Sequence, residues 1–194
     1  MARAGARDLN GPAALFIVFG GLPGTGKTTI ARALAARLGA VYLRIDTIEQ
    51  AIRSSGPGET GPRETGPWET SRADAAVGPA GYAVACGIAA DNLRLGRTVI
   101  ADSVNPLAVT RDHYRAIAQC QGAGCLEIEI VCSDKAEHRR RIETRIPDIP
   151  GLRLPTWQDA ATRPYEPWDR QCLRIDTAVL TPDAAVEAVI GALT

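Results

Sequence analysis

Five short apolar runs are spaced along the chain, and a segment with helical periodicity follows each of them. The first run, LFIVF, is continuous, as expected for a buried strand of a parallel sheet. The predicted strands are 15–19, 41–46, 98–102, 125–132 and 172–177. The segments between them place apolar residues on one helical face, as in Ile30, Leu34 and Leu38. The alternation predicts an α/β protein in three layers, a five-stranded parallel sheet with helices on both faces.

The segment after the fourth strand begins with a recognisable helix start. Asp134 with Glu137 resembles a capping box, and the helix is predicted to extend through Arg145. A proline-rich crossing, IPDIPGLRLPTW, follows it. No domain boundary is visible, so residues 1–194 are predicted to form a single domain.

Residues 56–71, GPGETGPRETGPWETS, differ from the rest of the chain. They are rich in glycine and proline, contain a near-repeat of ETGP and have almost no apolar residues, so they cannot pack a core. A flexible insert is therefore predicted at about 54–80. It is interpreted either as a mobile surface loop or as a flap over a binding site, with Trp68 as its large contact.

Composition narrows the class of protein. The 194 residues carry a formal net charge of zero, so no general basic field attracts nucleic acid, which is not an expected partner. Five scattered cysteines without a CxxC pair indicate reduced thiols in a cytoplasmic protein. No apolar run reaches the length of a membrane span, and ALFIVF is too short for a signal peptide.

The strongest chemical signal is GGLPGTGKTT at 20–29, because its spacing matches the phosphate-binding loop (P-loop) in full. The glycines let backbone N–H groups turn inward around phosphates, and the following helix points its positive end at the same place. Lys27 brings charge to the β and γ oxygens, and the Thr28 hydroxyl is placed to bind Mg²⁺. The predicted nucleotide ligands are Gly21, Gly24, Thr25, Gly26, Lys27, Thr28 and Thr29.

Such a loop can serve a motor, a switch or a transferase. A GTPase switch needs a guanine-reading NKxD element, and SDK at 133–135 lacks both the asparagine and the spacing. Motors usually need a longer core. The sequence therefore favours a compact enzyme that transfers a phosphoryl group from ATP to a hydroxyl.

Two carboxylates end predicted strands, at the sheet edge where ligands bind in open α/β folds. Asp46, in RID, is interpreted as the base that takes the proton of the hydroxyl, as a helix cap, or as both. Asp102 ends VIAD, a Walker B pattern, and is predicted to hold Mg²⁺ with Thr28 and to face the acceptor. Asn105 then either binds the acceptor or shapes the turn in DSVNP.

Arginines must stabilise the transferring charge. The segment HRRRIETR supplies four of them, and Arg141 and Arg145 share a helical face. Because they precede the proline-rich crossing, residues 139–157 are predicted to form a lid. A solvated charged face is the alternative. Arg111, behind DSVNP, is a further candidate for contact with the acceptor.

These motifs together resemble the small P-loop kinases. GLPGTGKTT, RID, VIADSVN and R-x-x-x-R at 141–145 look like the zeta-toxin, polynucleotide-kinase and chloramphenicol-phosphotransferase group. RPYEPW and LRIDTAVLTPDAAVEAVI are similar to the end of adenylylsulfate kinases. The resemblance covers about 14–193. It implies a catalytic set of Asp46 as base, Lys27 at the phosphates, and Arg141 and Arg145 in the lid. It also places the adenine near Arg163 and Tyr165.

One departure from the family concerns the acceptor. Polynucleotide and adenylylsulfate kinases have an arginine three residues after the base, where this chain has Glu49. A carboxylate there repels an anionic acceptor, which favours a neutral or cationic hydroxylated metabolite, nucleoside or aminoglycoside-like compound. Residues 47–94 are expected to set this specificity. The candidates among them are Trp68, Arg72, Tyr82 and Asp91.

Three alternatives remain open from the sequence. A polynucleotide 5′-hydroxyl kinase would use the same loop and base. A toxin that phosphorylates a nucleotide sugar would resemble the zeta-toxin members of the group. A non-catalytic ATP-binding regulatory protein would keep the loop and use the ETGP near-repeat as a surface for a partner.

Overall fold

A computed structural model describes residues 14–55 and 80–193. Its centre is a sheet of five parallel strands in the order β2-β3-β1-β4-β5. The strands are β1 Leu15–Gly20, β2 Val41–Arg44, β3 Val99–Asp102, β4 Gly124–Val131 and β5 Leu173–Asp176. Because every strand is parallel, their carboxyl ends meet at one edge of the sheet, and the predicted site residues follow those ends.

Seven helices connect or follow these strands in the described part of the chain. They are α1 Lys27–Leu38, α2 Ile45–Ser55, α3 Ala80–Arg94, α4 Ala108–Cys120, α5 Lys135–Thr144, α6 Trp157–Ala161 and α7 Pro182–Gly191. The predicted start of α5 is confirmed, since the Asp134 carboxylate accepts hydrogen bonds from the N–H groups of Ala136 and Glu137.

The apolar core lies on both faces of the sheet, because successive side chains of a strand point to opposite faces. In β1, Ile17 and Phe19 point to a cluster with α1 and α7, while Phe16 and Val18 point to a cluster with α3 and α4. All four are fully buried. The predicted three-layer α/β fold is confirmed.

Beyond one- or two-residue shifts at other ends, the structure differs from the sequence prediction at three places near the site. The second strand ends at Arg44 rather than at residue 46, so Asp46 lies in the first turn of α2. Helix α5 ends at Thr144, one residue before Arg145. The proline-rich crossing contains a short helix, α6, which was not predicted.

Some predictions concern residues outside the described ranges. These are the ETGP near-repeat with Trp68, and Arg72; of the insert predicted at about 54–80, only its two ends are described, as the last turn of α2 and the first residue of α3. Within the described ranges, none of the helices combines the length and the apolar character that a membrane crossing requires.

Candidate active site

The phosphate-binding loop joins β1 to α1 at the middle of the sheet. Gly26 begins the helix in a left-handed conformation, without a side-chain cap on the first turn. The Lys27 side chain is 7% exposed and its ammonium donates to the Leu22 carbonyl at 2.8 Å, as does the Thr25 hydroxyl at 2.9 Å. Uncapped N–H groups around a buried ammonium form a site for phosphate oxygens.

The tip of this loop packs directly against α5. Gly24 has a φ of +79°, and a Cβ there would overlap Ile142. One turn earlier in α5, the His138 ring contacts the Pro23 carbonyl at 2.7 Å and meets the Trp157 ring edge-on, with centroids 5.4 Å apart. His138 was not predicted to belong to the site. Its position in the sequence, one turn after the Asp134 helix cap, is the signal that could have indicated this role. Helix α5 and the phosphate loop therefore support each other.

Two carboxylates flank Lys27. Asp102, at the end of β3, is buried, whereas the Asp46 side chain in the first turn of α2 is 43% exposed. Burial lowers the pKa of Lys27 to about 8, and the charges of Asp102 and Asp46 oppose that shift. The structure thus brings together the phosphate loop and both carboxylates predicted from the sequence.

Asp102 is held by a residue that was not predicted. The Tyr42 hydroxyl on β2 donates to Asp102 Oδ2 at 2.7 Å. Burial and the Asp102 carboxylate raise the pKa of Tyr42 well above its usual value, so the hydroxyl stays a donor. The bond fixes the orientation of the carboxylate and leaves Oδ1 for another ligand.

These residues fit a magnesium ion better than a metal held by protein ligands alone. In residues 14–55 and 80–193, no group of three or more His, Cys, Asp or Glu side chains is placed to hold a metal. Mg²⁺ commonly takes one or two protein oxygens and completes its shell with water and phosphate. The Thr28 hydroxyl and the fixed Asp102 carboxylate provide such a donor set.

The predicted arginines fall into two groups. Arg145 and Arg163 are near enough to Lys27 to lower its pKa further. Arg141 is instead tied to Thr177, by hydrogen bonds of 2.8 Å to the hydroxyl and 3.0 Å to the carbonyl. The Thr177 hydroxyl in turn donates to the Thr25 carbonyl. Arg141 therefore stabilises the flank of the loop that contacts Thr177, while the charges of Arg145 and Arg163 act on the Lys27 ammonium.

The predicted acceptor side is formed by α2 and α3. The Glu49 carboxylate lies 3.3 Å from the Arg53 guanidinium, and its side chain fills the space left by the absent side chain of Gly81.

Burial raises the pKa of Tyr82 to about 12, and Glu49 adds to the rise. The Tyr82 hydroxyl accepts the N–H of Asn105 at 3.3 Å. Asp91, by contrast, is exposed on α3 with Arg94.

Arg111 does not face the cleft, because it has no exposed surface. It lies 4.3 Å from the centre of the Trp168 ring. Its guanidinium and Nε donate to four carbonyls, those of Asn105, Pro106, Glu166 and Pro167. Arg111 thus joins the DSVNP turn to the YEPW loop, and its predicted contact with an acceptor gives way to this anchoring role.

The two residues predicted at the adenine, Arg163 and Tyr165, have different neighbours. Tyr165 lies against Arg111, and it lines a hollow of about 230 Å³ with Gly21, Glu129 and His138. Arg163 is instead on the side of Lys27 and Tyr82. Contact of Arg163 and Tyr165 with the adenine stays a prediction.

Comparison with known proteins identifies a matching family and similar solved structures. Residues 16–163 match the family described as AAA domain. The solved structure of APE1195 is 28% identical, over 93% of this chain and 95% of its own, with a TM-score of 0.65. The APS kinase CysC of Mycobacterium tuberculosis, solved with AMPPNP and APS, is 18% identical over 94% and 99% of the two chains, with a TM-score of 0.63.

A gluconokinase from Sinorhizobium meliloti 1021 is also similar, with 16% identity over 93% of this chain and 92% of its own and a TM-score of 0.59. No curated protein matches the sequence. The resemblance to small P-loop kinases that the motifs indicated is confirmed at the level of the fold.

Proposed function

Since the chain belongs to the AAA domain family, we propose that it uses this nucleotide-binding fold as a kinase, transferring the γ-phosphoryl group of ATP to a hydroxyl of a small-molecule acceptor. One observation carries the proposal. Buried Lys27 is within reach of the charges of two carboxylates, Asp46 and Asp102, and of two guanidinium groups, Arg145 and Arg163. Charges of both signs at one point suit phosphoryl transfer, which is mostly positioning and charge neutralisation.

The nucleotide side uses the loop from Gly21 to Thr29. Its N–H groups surround the phosphates, and Lys27 leaves the Leu22 carbonyl to bind the γ-phosphate oxygens. Thr28 and Asp102 would hold Mg²⁺, and the ion would supply positive charge at the phosphate oxygens. The kinase fold is shared with an APS kinase solved with AMPPNP, which supports ATP as the nucleotide.

Asp46 is the proposed base. Its carboxylate is exposed and near Lys27, and it lies in the first turn of α2, the helix that also carries Glu49. The acceptor hydroxyl gives its proton to Asp46 as its oxygen bonds to the γ-phosphorus, and the bond from that phosphorus to ADP breaks. Arg145 and Arg163 stabilise the charge that spreads over the moving phosphoryl group.

The acceptor is proposed to be a small molecule that is neutral or cationic near its reactive hydroxyl. Asp46 and Glu49 are both acidic and both on α2, and Arg53 pairs with the second of them. Such a surface disfavours a phosphate on the acceptor and offers hydrogen-bond partners to a polyhydroxylated compound. The gluconokinase relative, as named, acts on a small sugar acid, which supports a metabolite as the class of acceptor.

The test compares Asp46→Asn with Asp183→Asn. Both replace an acidic residue in the first turn of a helix, but Asp183 is on α7, outside the site. ADP release is followed over a panel of hydroxylated metabolites, nucleosides and antibiotics. Asp46→Asn is expected to lose transfer by about 10²–10⁴-fold with ATP affinity nearly unchanged, while Asp183→Asn keeps both.

Other outcomes favour the alternatives. Transfer by the wild type to oligonucleotides, with a steep dependence on salt, would identify a polynucleotide kinase. Growth arrest on expression would favour the toxin. ATP binding without transfer across the whole panel would favour a regulatory protein, and near wild-type transfer by Asp46→Asn would refute Asp46 as the base.

A further inference from the structure

Asp148 makes the most extensive ion-pair contact near the proposed base. It belongs to residues 146–153, the crossing segment, which runs from the end of α5 over the carboxyl end of β2. Its carboxylate accepts two hydrogen bonds from Arg44, of 2.7 and 3.1 Å, and one of 2.5 Å from Arg32 on α1. These bonds, those of Arg44 first, hold the pKa of Asp148 well below its usual range.

Arg44 is shared between two carboxylates in an unequal way. Its side chain is 2% exposed at the last position of β2, and its Nη2 lies 3.4 Å from Asp46 Oδ2. That distance is longer than the 2.7–3.2 Å usual for such a bond, whereas both bonds to Asp148 fall within the range. Asp148 therefore takes most of the hydrogen bonding that Arg44 offers.

The crossing segment also contacts the helix that carries Asp46. Gly151 lies so close to α2 that a Cβ there would be 2.9 Å from Gln50 Nε2. The segment is thus seated on α2 as well as on β2. A change in its position would alter the Asp148–Arg44 pair and the contact with α2 together.

We propose that Asp148 is a positioning residue for Asp46: by occupying the Arg44 guanidinium it keeps that group off the Asp46 carboxylate, which is free to take a proton only when the crossing segment is seated. This inference rests on the kinase function proposed above. It makes the seated segment a condition for transfer, so that binding of ATP with the segment raised does not lead to reaction.

The chemistry of a buried guanidinium explains the effect. Without Asp148, Arg44 is a nearly buried cation that has lost both of its strong bonds, which is costly. Its Nε already has no partner in the described residues. Asp46 is the carboxylate within reach, two residues ahead, and a full pair with Arg44 would use the oxygen that must accept the proton.

Three variants separate positioning from simple attachment of the segment. Asp148→Asn keeps the shape of the side chain and removes its charge. Arg32→Ala loosens Asp148 from α1 but leaves the Asp148–Arg44 pair. Arg44→Gln combined with Asp148→Asn removes both charges, so that no guanidinium remains to capture Asp46.

The rate of transfer, the KM for ATP and a crystal structure are measured for each variant. Asp148→Asn is expected to lower kcat by about 10- to 100-fold with little change in the KM for ATP. Its Arg44–Asp46 distance should shorten from 3.4 Å to about 2.8 Å. The double variant should recover most of kcat, and Arg32→Ala should stay near the wild type.

Two results would overturn the inference. One is an Arg44–Asp46 distance in Asp148→Asn that does not shorten. The other is an equal loss of kcat in Asp148→Asn and in the double variant, which would mean that Asp148 only attaches the segment. If the wild type transfers to no acceptor, the kinase function fails, yet the distance in Asp148→Asn still decides whether Asp148 controls Arg44.

Discussion

The low pKa of Lys27 predicts that ATP binding depends on pH and takes up protons. With a pKa of about 8 in the free protein, the ammonium is about nine-tenths protonated at pH 7 and about one-tenth at pH 9. Burial disfavours its charge, and the bound phosphates would restore it. If only the ammonium form holds the γ-phosphate, affinity for ATP falls about tenfold from pH 7 to pH 9, with about half a proton taken up per ATP at pH 8.

Titration calorimetry at constant Mg²⁺ measures this directly. The heat of binding at pH 8 is compared in buffers with different enthalpies of ionisation, and the slope gives the number of protons taken up. The control is Lys27→Arg, whose guanidinium stays charged throughout this range. Its affinity should be nearly constant from pH 7.5 to pH 9, and any remaining slope belongs to the nucleotide, whose phosphate titrates near pH 6.

Asp102→Asn gives a second check, because the Asp102 charge raises the pKa of Lys27. Its removal should move the midpoint of the pH dependence below that of the wild type. If the wild type binds ATP equally well at pH 7 and pH 9 without proton uptake, Lys27 is fully charged at both values. The reasoning from burial would then be refuted.

Two further predictions concern single contacts. Tyr42→Phe removes the 2.7 Å hydrogen bond to Asp102 and should lower the affinity for ATP in the presence of Mg²⁺ by about 10-fold or more. The affinity measured without Mg²⁺ should fall less. Gly24→Ala forces a Cβ into Ile142 at a φ of +79°, which costs at least about 1–2 kcal/mol, so its melting temperature and ATP affinity should both fall. Gly39→Ala, at a φ of +60° in open space, should lower the melting temperature less and leave ATP affinity intact.

The strands and most helices could be predicted because their signals are local. The run LFIVF has one structural solution, a buried central strand, and the Asp134 cap defines the start of α5. The boundary at Asp46 was misplaced because Ile45 extends the apolar pattern of the strand, although aspartate favours a first helical turn. Helix α6 was missed since it has five residues, but Thr156 and Asp159 form a capping box that the sequence displays.

The parts of the site that escaped prediction depend on which strands are neighbours. Tyr42 reaches Asp102 only because β2 pairs with β3, and no local pattern states that order. The Asp148–Arg44 pair spans 104 positions along the chain. Arg111 looked like a ligand from its place behind DSVNP, and only the fold reveals that the YEPW loop covers it.

The Arg111 anchor has a consequence for protein engineering. Its four hydrogen bonds go to main-chain oxygens, so they do not depend on the identity of the side chains at residues 105, 106, 166 and 167. The Glu166 carboxylate adds a separate link between the two loops, because it accepts the N–H of Ala108. Substitutions that keep the backbone path of the two loops leave the Arg111 bonds intact. Libraries that change selectivity can therefore be built elsewhere in the chain, provided that Arg111 and the two loops that it joins are retained.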